Sequence, residues 1–291
     1  MIDKEAGWTS HDVVARCRGI FGQRRVGHAG TLDPDATGVL LVGLGRVTRL
    51  LRYLSPLPKR YAGEVVLGVA TSTLDGSGEV TGRWDMAAVT LAEVEEAAAG
   101  LTGPISQVPP MVSALKVGGR RLYELARAGI EVEREGRPVV VHRLVARPTG
   151  QPCRFGIDVT CSAGTYIRSI AADLGTALGG GAHLENLRRL SVGSFSIEES
   201  ATLAQVQGDP GARVLTPSEA VRDLASVTVS EAVAAAVSHG AVLEPESMAV
   251  EPGTPGPWAL LDEAGRLLAV YERCEAIEGA VLRPSVVLSG T

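Results

Sequence analysis

Asp33 stands in the run Gly27-His28-Ala29-Gly30-Thr31-Leu32-Asp33-Pro34-Asp35-Ala36-Thr37-Gly38, where glycines let a backbone come close to a ligand. A carboxylate so placed suits acid–base or nucleophilic chemistry. The pattern alone reads first as an ordinary Asp-Pro turn. Asp35 raises the idea of a glycosidase-like pair or a metal site, but no histidine or third acid accompanies the two carboxylates in the pattern either would need. No metal is expected, and His28 reads as a hydrogen-bonded loop residue. The glycines form no phosphate loop: Gly-x-x-x-x-Gly-Lys-Ser/Thr is absent, and Gly43-Leu-Gly45 lacks the third glycine of a dinucleotide fingerprint. No nucleotide or other cofactor is expected. Two further segments join aromatics to cations. Lys59-Arg60-Tyr61 suits stacking on a base beside its phosphate, with a tyrosine packed in a sheet as the alternative. In Gly164-Thr165-Tyr166-Ile167-Arg168, the arginine is placed to pair with a carboxylate or to make a surface salt bridge.

These residues need elements to hold them. Val13, Val14, Cys17 and Ile20 recur at helical spacing, predicting a helix from Ser10 to Phe21 with Ser10 as its N-cap. Residues 22–38 carry four glycines and Pro34, predicting a long loop that feeds the buried run Val39–Leu44. Residues 61–70, 139–146 and 154–161 read as strands, and 91–100 and 167–178 as helices. The mixture lacks strict alternation, so an α+β fold with a large, mostly antiparallel sheet is expected. Residues 118–138, rich in Arg and Glu, read as a mobile insertion. The composition changes near Leu224. A catalytic domain over 1–225 and a small β-rich domain over 226–291 are therefore expected, the latter with turns at 251–256 and 262–265.

The chain has 291 residues, 45% apolar and 21% charged, which excludes a disordered protein. Its four cysteines are widely spaced, with no Cys-x-x-Cys pair, as expected of thiols in a reducing compartment. No signal peptide or membrane-spanning run is read, so a cytoplasmic location and no membrane partner are expected. The net charge of −5 hides an uneven distribution: residues 1–60 carry ten Lys or Arg against five acids, whereas residues 201–291 carry five against twelve. A basic first segment of this kind suits a nucleic-acid partner.

Taken in order, the segments Asp3-Lys4 with Gly7-Trp8-Thr9-Ser10, Gly27–Gly38, Lys59–Tyr61, Gln107-Val-Pro-Pro-Met111 with Ser113-Ala-Leu-Lys116, Gly164–Arg168, and Gly181-Ala-His183 with Leu187-Arg-Arg-Leu190 resemble the TruB family of tRNA pseudouridine synthases. They span most of residues 1–200. Glu5 departs from the family's usual proline, and Val112 from its frequent Tyr or Phe. The resemblance implies a pseudouridine-synthase core with a PUA-like RNA-binding tail, working as a monomer on uridine 55 in the T arm of tRNA. It implies Asp33 as the catalytic aspartate, Arg168 as its ion-pair partner and Tyr61 as the residue stacking on the target base. Tyr166, Leu190 and His28 follow by resemblance as substrate-binding residues, and Lys4, Lys59 and Arg60, which stand in the matching segments, are expected to bind the substrate with them. Two other readings stay open: an RNA-binding or RNA-folding protein without catalysis, and a sugar-cleaving hydrolase using Asp33 and Asp35.

Overall fold

The computed structural model describes residues 1–113, 115–117, 119–130, 132–248, 255–276 and 279–288. The chain opens with strand β1 (Ile2–Lys4) and helix α1 (Ser10–Ile20), whose start differs from the expectation: Thr9 is the N-cap. Thr9 and Asp12 exchange side-chain and backbone hydrogen bonds in a capping box, satisfying amides that the first helical turn leaves free. This releases the Ser10 hydroxyl, which reaches back to Leu32. The stretch 22–38 is not one long loop. It contains β2 (Val26–Ala29), antiparallel to β3 (Thr37–Leu44), so only residues 30–36 form the connecting loop.

Helix α2 (Leu51–Leu54) leads into β4 (Lys59–Leu67), which ends three residues short of the expected strand because Gly68 turns at φ +85°. Next come β5 (Val69–Thr71), β6 (Val80–Arg83), α3 (Leu91–Gly100) and β7 (Gly103–Gln107). The expected insertion holds the short pair β8 (Lys116–Val117) and β9 (Arg120–Arg121), and helix α4 (Leu122–Arg127), with residues 118 and 131 outside those described. Strands β10 (Arg137–Pro148) and β11 (Arg154–Cys161) and helix α5 (Ile167–Ala177) match expectation to within a few residues. Strand β12 (Ala182–Val192), with β13 (Phe195–Ser196) and α6 (Leu203–Gly208) after it, was not foreseen. Its charged residues and the bulge at Glu185/Arg188, with Asn186 at φ +52°, hide the alternation.

Among the described residues the main sheet has nine strands, in the order β1-β3-β12-β4-β11-β10-β7, with β2 beside β3 and β13 beside β12. Among the described strands of this sheet, only β12 and β3 pair in parallel, at Arg188 with Thr37 and Arg189 with Gly38. Helices α3 and α5 cover it through Val65, Leu67, Val94, Val159, Ile170 and Leu184, while α1 packs Val13, Val14 and Cys17 on Ile2 and Leu40.

A second, four-stranded sheet starts at Ala225: β14 (Ala225–Thr228), then, after α7 (Glu231–Ser238), β15 (Trp258–Leu261), β16 (Leu267–Ala276) and β17 (Gly279–Val287). The expected turn at 262–265 is present, with the Asp262 carboxylate accepting from the amides of Ala264 and Arg266; most of the one at 251–256 lies outside the described residues. This sheet has its own core around Trp258, Leu260, Tyr271 and Leu282. Its other face shares one with the main body, where Leu50, Tyr53 and Val221 pack on Ala259, Val270 and Val286.

Candidate active site

The loop carrying Asp33 is held by its own backbone. Leu32 donates to Ser10 Oγ at 2.9 Å and accepts from it at 3.2 Å. The Lys4 ammonium donates to the carbonyls of Pro34, Glu5 and Trp8 at 2.7–3.0 Å. From the other side the buried Arg189 guanidinium donates to Gly30 O at 3.1 Å, Thr31 O at 3.4 Å and Val39 O at 2.7 Å. Cations that satisfy loop carbonyls fix the loop where water would leave it free.

Asp33 meets Arg168 in a two-point pair, Nε to Oδ2 at 3.0 Å and a terminal guanidinium nitrogen to Oδ1 at 3.2 Å. Arg168 is 4% exposed and is also bonded to Thr73 O at 2.9 Å, Val112 O at 2.8 Å and the Asp75 carboxylate at 3.3 Å. A buried guanidinium is stable only with such partners. Burial pushes the Asp33 carboxyl above its ordinary range; Arg168 opposes that push and Asp75 adds to it. The Asp33 side chain keeps 41% of its surface open to the cleft, so solvent moderates the rise. The sequence reading missed Asp75, whose only local signal is the turn chemistry of Thr73-Leu-Asp75-Gly-Ser77. There Thr73 Oγ1 and Ser77 Oγ each donate to its carboxylate at 2.6 Å.

A cleft of about 370 Å³ opens at Asp33, bounded by Tyr61, Lys59, Ser113, Leu115, Tyr166, Ile167, Arg168, Leu187 and Arg189 among others. A second, of about 460 Å³, lies across the Asp33–Arg168 pair and takes in Asp35, Asp75 and Asn186. Both fall in the size range of ligand pockets. A third cavity, of about 220 Å³, is lined mainly by apolar side chains such as Leu41, Leu51 and Phe195, and none of the proposed site residues lines it. Tyr61 sits mid-strand on β4, opposite Val159 and Arg189, and is 8% exposed. Tyr166 heads α5, its backbone clamped by Gln107, which donates to Tyr166 O at 3.0 Å and accepts from Tyr166 N at 2.7 Å.

Five of the expected substrate-binding residues lie off the clefts or are already engaged. Lys4 is fully buried, with three carbonyls around its ammonium, so it braces the Asp33 loop and is closed to a substrate; burial lowers its pKa to about 8. Arg60 alternates to the face of β4 opposite Tyr61, where it grips Asp158 at 2.6 and 3.1 Å. Lys59 shares the cleft with Tyr61, but its ammonium donates to the carbonyls of Ser55 and Leu57, and burial lowers its pKa to about 8. Leu190 does not line either cleft; Leu187, within the β12 bulge, lines both. His28 lies on β2, edge-on to His11 at 5.5 Å and outside the lining of the two clefts. Among the described residues, no three His, Cys, Asp or Glu side chains are grouped to hold a metal ion.

Comparison with known proteins gives a consistent picture. Residues 18–167 match the TruB family pseudouridylate synthase N-terminal domain, and residues 168–221 match the tRNA pseudouridylate synthase B C-terminal domain. The tRNA pseudouridine synthase B of Thermobifida fusca is 45% identical over 100% of this chain and 98% of its own. That of Symbiobacterium thermophilum is 50% identical over 81% of this chain and 80% of its own. A chain in the crystal structure of a Cbf5-Nop10-Gar1 complex superposes with a TM-score of 0.74 at 28% identity, over 93% of this chain and 76% of that one.

Proposed function

The chain belongs to the TruB family and isomerises uridine to pseudouridine in tRNA; on that premise we propose that Asp33 is its catalytic residue and uridine 55 of the T arm its target. The reaction breaks the C1'–N1 bond and joins C5 to C1'. C5 loses a proton and N1 gains one, so no oxidant or co-substrate is consumed. One ionised carboxylate beside the sugar serves as nucleophile or as base and charge stabiliser. The observation that carries the reading is the two-point Asp33–Arg168 pair at the mouth of the Tyr61 cleft. A protein that only bound RNA would need no buried cation to keep that acid ionised. Asp35 faces the second cleft, away from Tyr61, which disfavours a hydrolase pair.

In this reading the target uridine leaves its stack at a cost of roughly a few kcal/mol, and stacking on Tyr61 returns about 1–3 kcal/mol. Tyr166 and Leu187 complete the pocket. His28, on β2 beside the arginine-bearing α1, positions the T loop, the Arg-rich segment 118–138 closes over the RNA, and the PUA-like tail adds a further RNA surface. A monomer remains the proposed state, and tRNA as substrate supports a cytoplasmic location. No helix among the described residues is long and apolar enough to cross a membrane.

The test is Asp33→Asn. Conversion of a tRNA transcript, followed by release of tritium from C5 of its uridines, should vanish while tRNA affinity stays within about tenfold, because the group acts on the barrier more than on binding. Normal turnover by this variant would refute the assignment.

A further inference from the structure

Among the described residues, three buried side-chain polar atoms have no hydrogen-bond partner: His28 Nδ1, Arg134 Nε and Ser113 Oγ. His28 lies off the cleft, and the Arg134 guanidinium already donates to Pro109 O at 2.9 Å. Ser113 is 5% exposed and lines the cleft with Asp33, Tyr61 and Arg168. Burying a hydroxyl without a partner is unfavourable, so one kept in the wall of a pocket is a contact awaiting its ligand.

Several of the other polar side chains in that wall are already engaged. Ser55 donates to Leu51 O and Thr165 to Ser162 O, while Ser162 Oγ accepts from Val140 N. Lys59 and Arg189 hold backbone carbonyls, and Arg168 holds Asp33, Asp75 and two carbonyls. The backbone on each side of Ser113 is pinned, since Val112 O accepts from Arg168 at 2.8 Å and Leu115 O accepts from Leu122 N at 2.8 Å. The guanidinium that aligns Asp33 thereby also sets where the Ser113 hydroxyl stands. Tyr61, Leu115, Ile167 and Leu187 supply flat apolar walls beside it, suited to a base more than to a phosphate.

Resting on the reading of this cleft as the uridine pocket, we propose that Ser113 contacts the substrate base, its hydroxyl donating to a carbonyl oxygen of the flipped uracil. The chemistry of the base gives the contact a further use. Once detached, uracil must turn about its N3–C6 axis to bring C5 where N1 stood, and this rotation exchanges O2 with O4. One fixed donor therefore meets a carbonyl oxygen both before and after the turn. It holds the loose base in plane while the new bond forms.

The experiment compares the full-length wild type with Ser113→Ala under single-turnover conditions, on tRNA carrying uridine, 2-thiouridine or 4-thiouridine at the target position. Sulfur accepts hydrogen bonds poorly. The variant should convert uridine about tenfold more slowly, and this penalty should shrink to about twofold on at least one thio substrate. Its melting temperature should equal or exceed that of wild type, because an unpaired buried hydroxyl has been removed. Equal rates for variant and wild type on uridine, an undiminished penalty on both thio substrates, or a melting temperature that falls along with the rate would each overturn the Ser113 contact. If the wild type itself converts no uridine in tRNA, the proposed function fails instead.

Discussion

Burial raises the Asp33 carboxyl, Arg168 lowers it and Asp75 raises it again, so the pH dependence of the reaction follows from three named groups. The chemistry needs the ionised form. The single-turnover rate should therefore fall as pH drops through a point above the ordinary Asp value of about 3.9. Asp75→Asn removes a neighbouring negative charge, which should move this acid limb to lower pH. It also leaves the Arg168 guanidinium one charged partner short, and the maximal rate should fall by up to about 100-fold, the scale of a misplacement of an ångström. A pH–rate profile of both proteins checks the two effects separately; a limb that moves upward in the variant contradicts the account. At this scale Asp33, Tyr61 and Arg168 were legible because each lies in a distinct local motif. Asp75 was not, because what marks it is a distance to Arg168, 93 positions further along the chain.

Strand alternation decides which cation of Lys59-Arg60-Tyr61 shares the cleft. Arg60 faces away and is tied to Asp158, itself also bonded by Arg143 at 3.0 Å. With the Arg60 side chain half exposed, the pair contributes about 0–1 kcal/mol. Arg60→Ala should leave turnover within about twofold of wild type, measured by the same conversion assay, and a collapse of the rate would restore Arg60 to the site. The parallel junction of β3 and β12 makes a second demand. Gly38 adopts φ +103°, and a methyl group there would run into the Arg189 carbonyl oxygen. Gly38→Ala should cost about 2–5 kcal/mol from left-handed strain plus overpacking, and thermal denaturation reads the loss. The sequence revealed α1 through its period and β10 and β11 through their β-branched residues, and it showed α3 and α5 as helices as well. It hid β12, whose bulge breaks the alternation and moves the pocket position from Leu190 to Leu187.

The two sheets meet through a shared core, with Leu50, Tyr53 and Val221 against Ala259, Val270 and Val286, and Tyr53 donating to Glu272 at 2.8 Å. Leu50 is fully buried there, so Leu50→Ala should cost about 2–5 kcal/mol. Calorimetry should show one transition shifted as a whole; two separate transitions would mean that the halves fold independently. Helix α2, which carries Tyr53, runs into the turn whose carbonyls hold Lys59, so the tail is joined in structure to the wall of the cleft. By itself the sequence determined the fold class and the family, and singled out Asp33 as the acid to propose, since local periodicity and short ordered motifs survive in one dimension. Only the tertiary structure decided that three carbonyls enclose the Lys4 ammonium, that Arg60 faces away, that Asp75 meets Arg168, and that Leu187 and Ser113 line the cleft. Burial, the facing of side chains and the pairing of distant charges are properties of the packed chain, and they exist only once the strands have chosen their register.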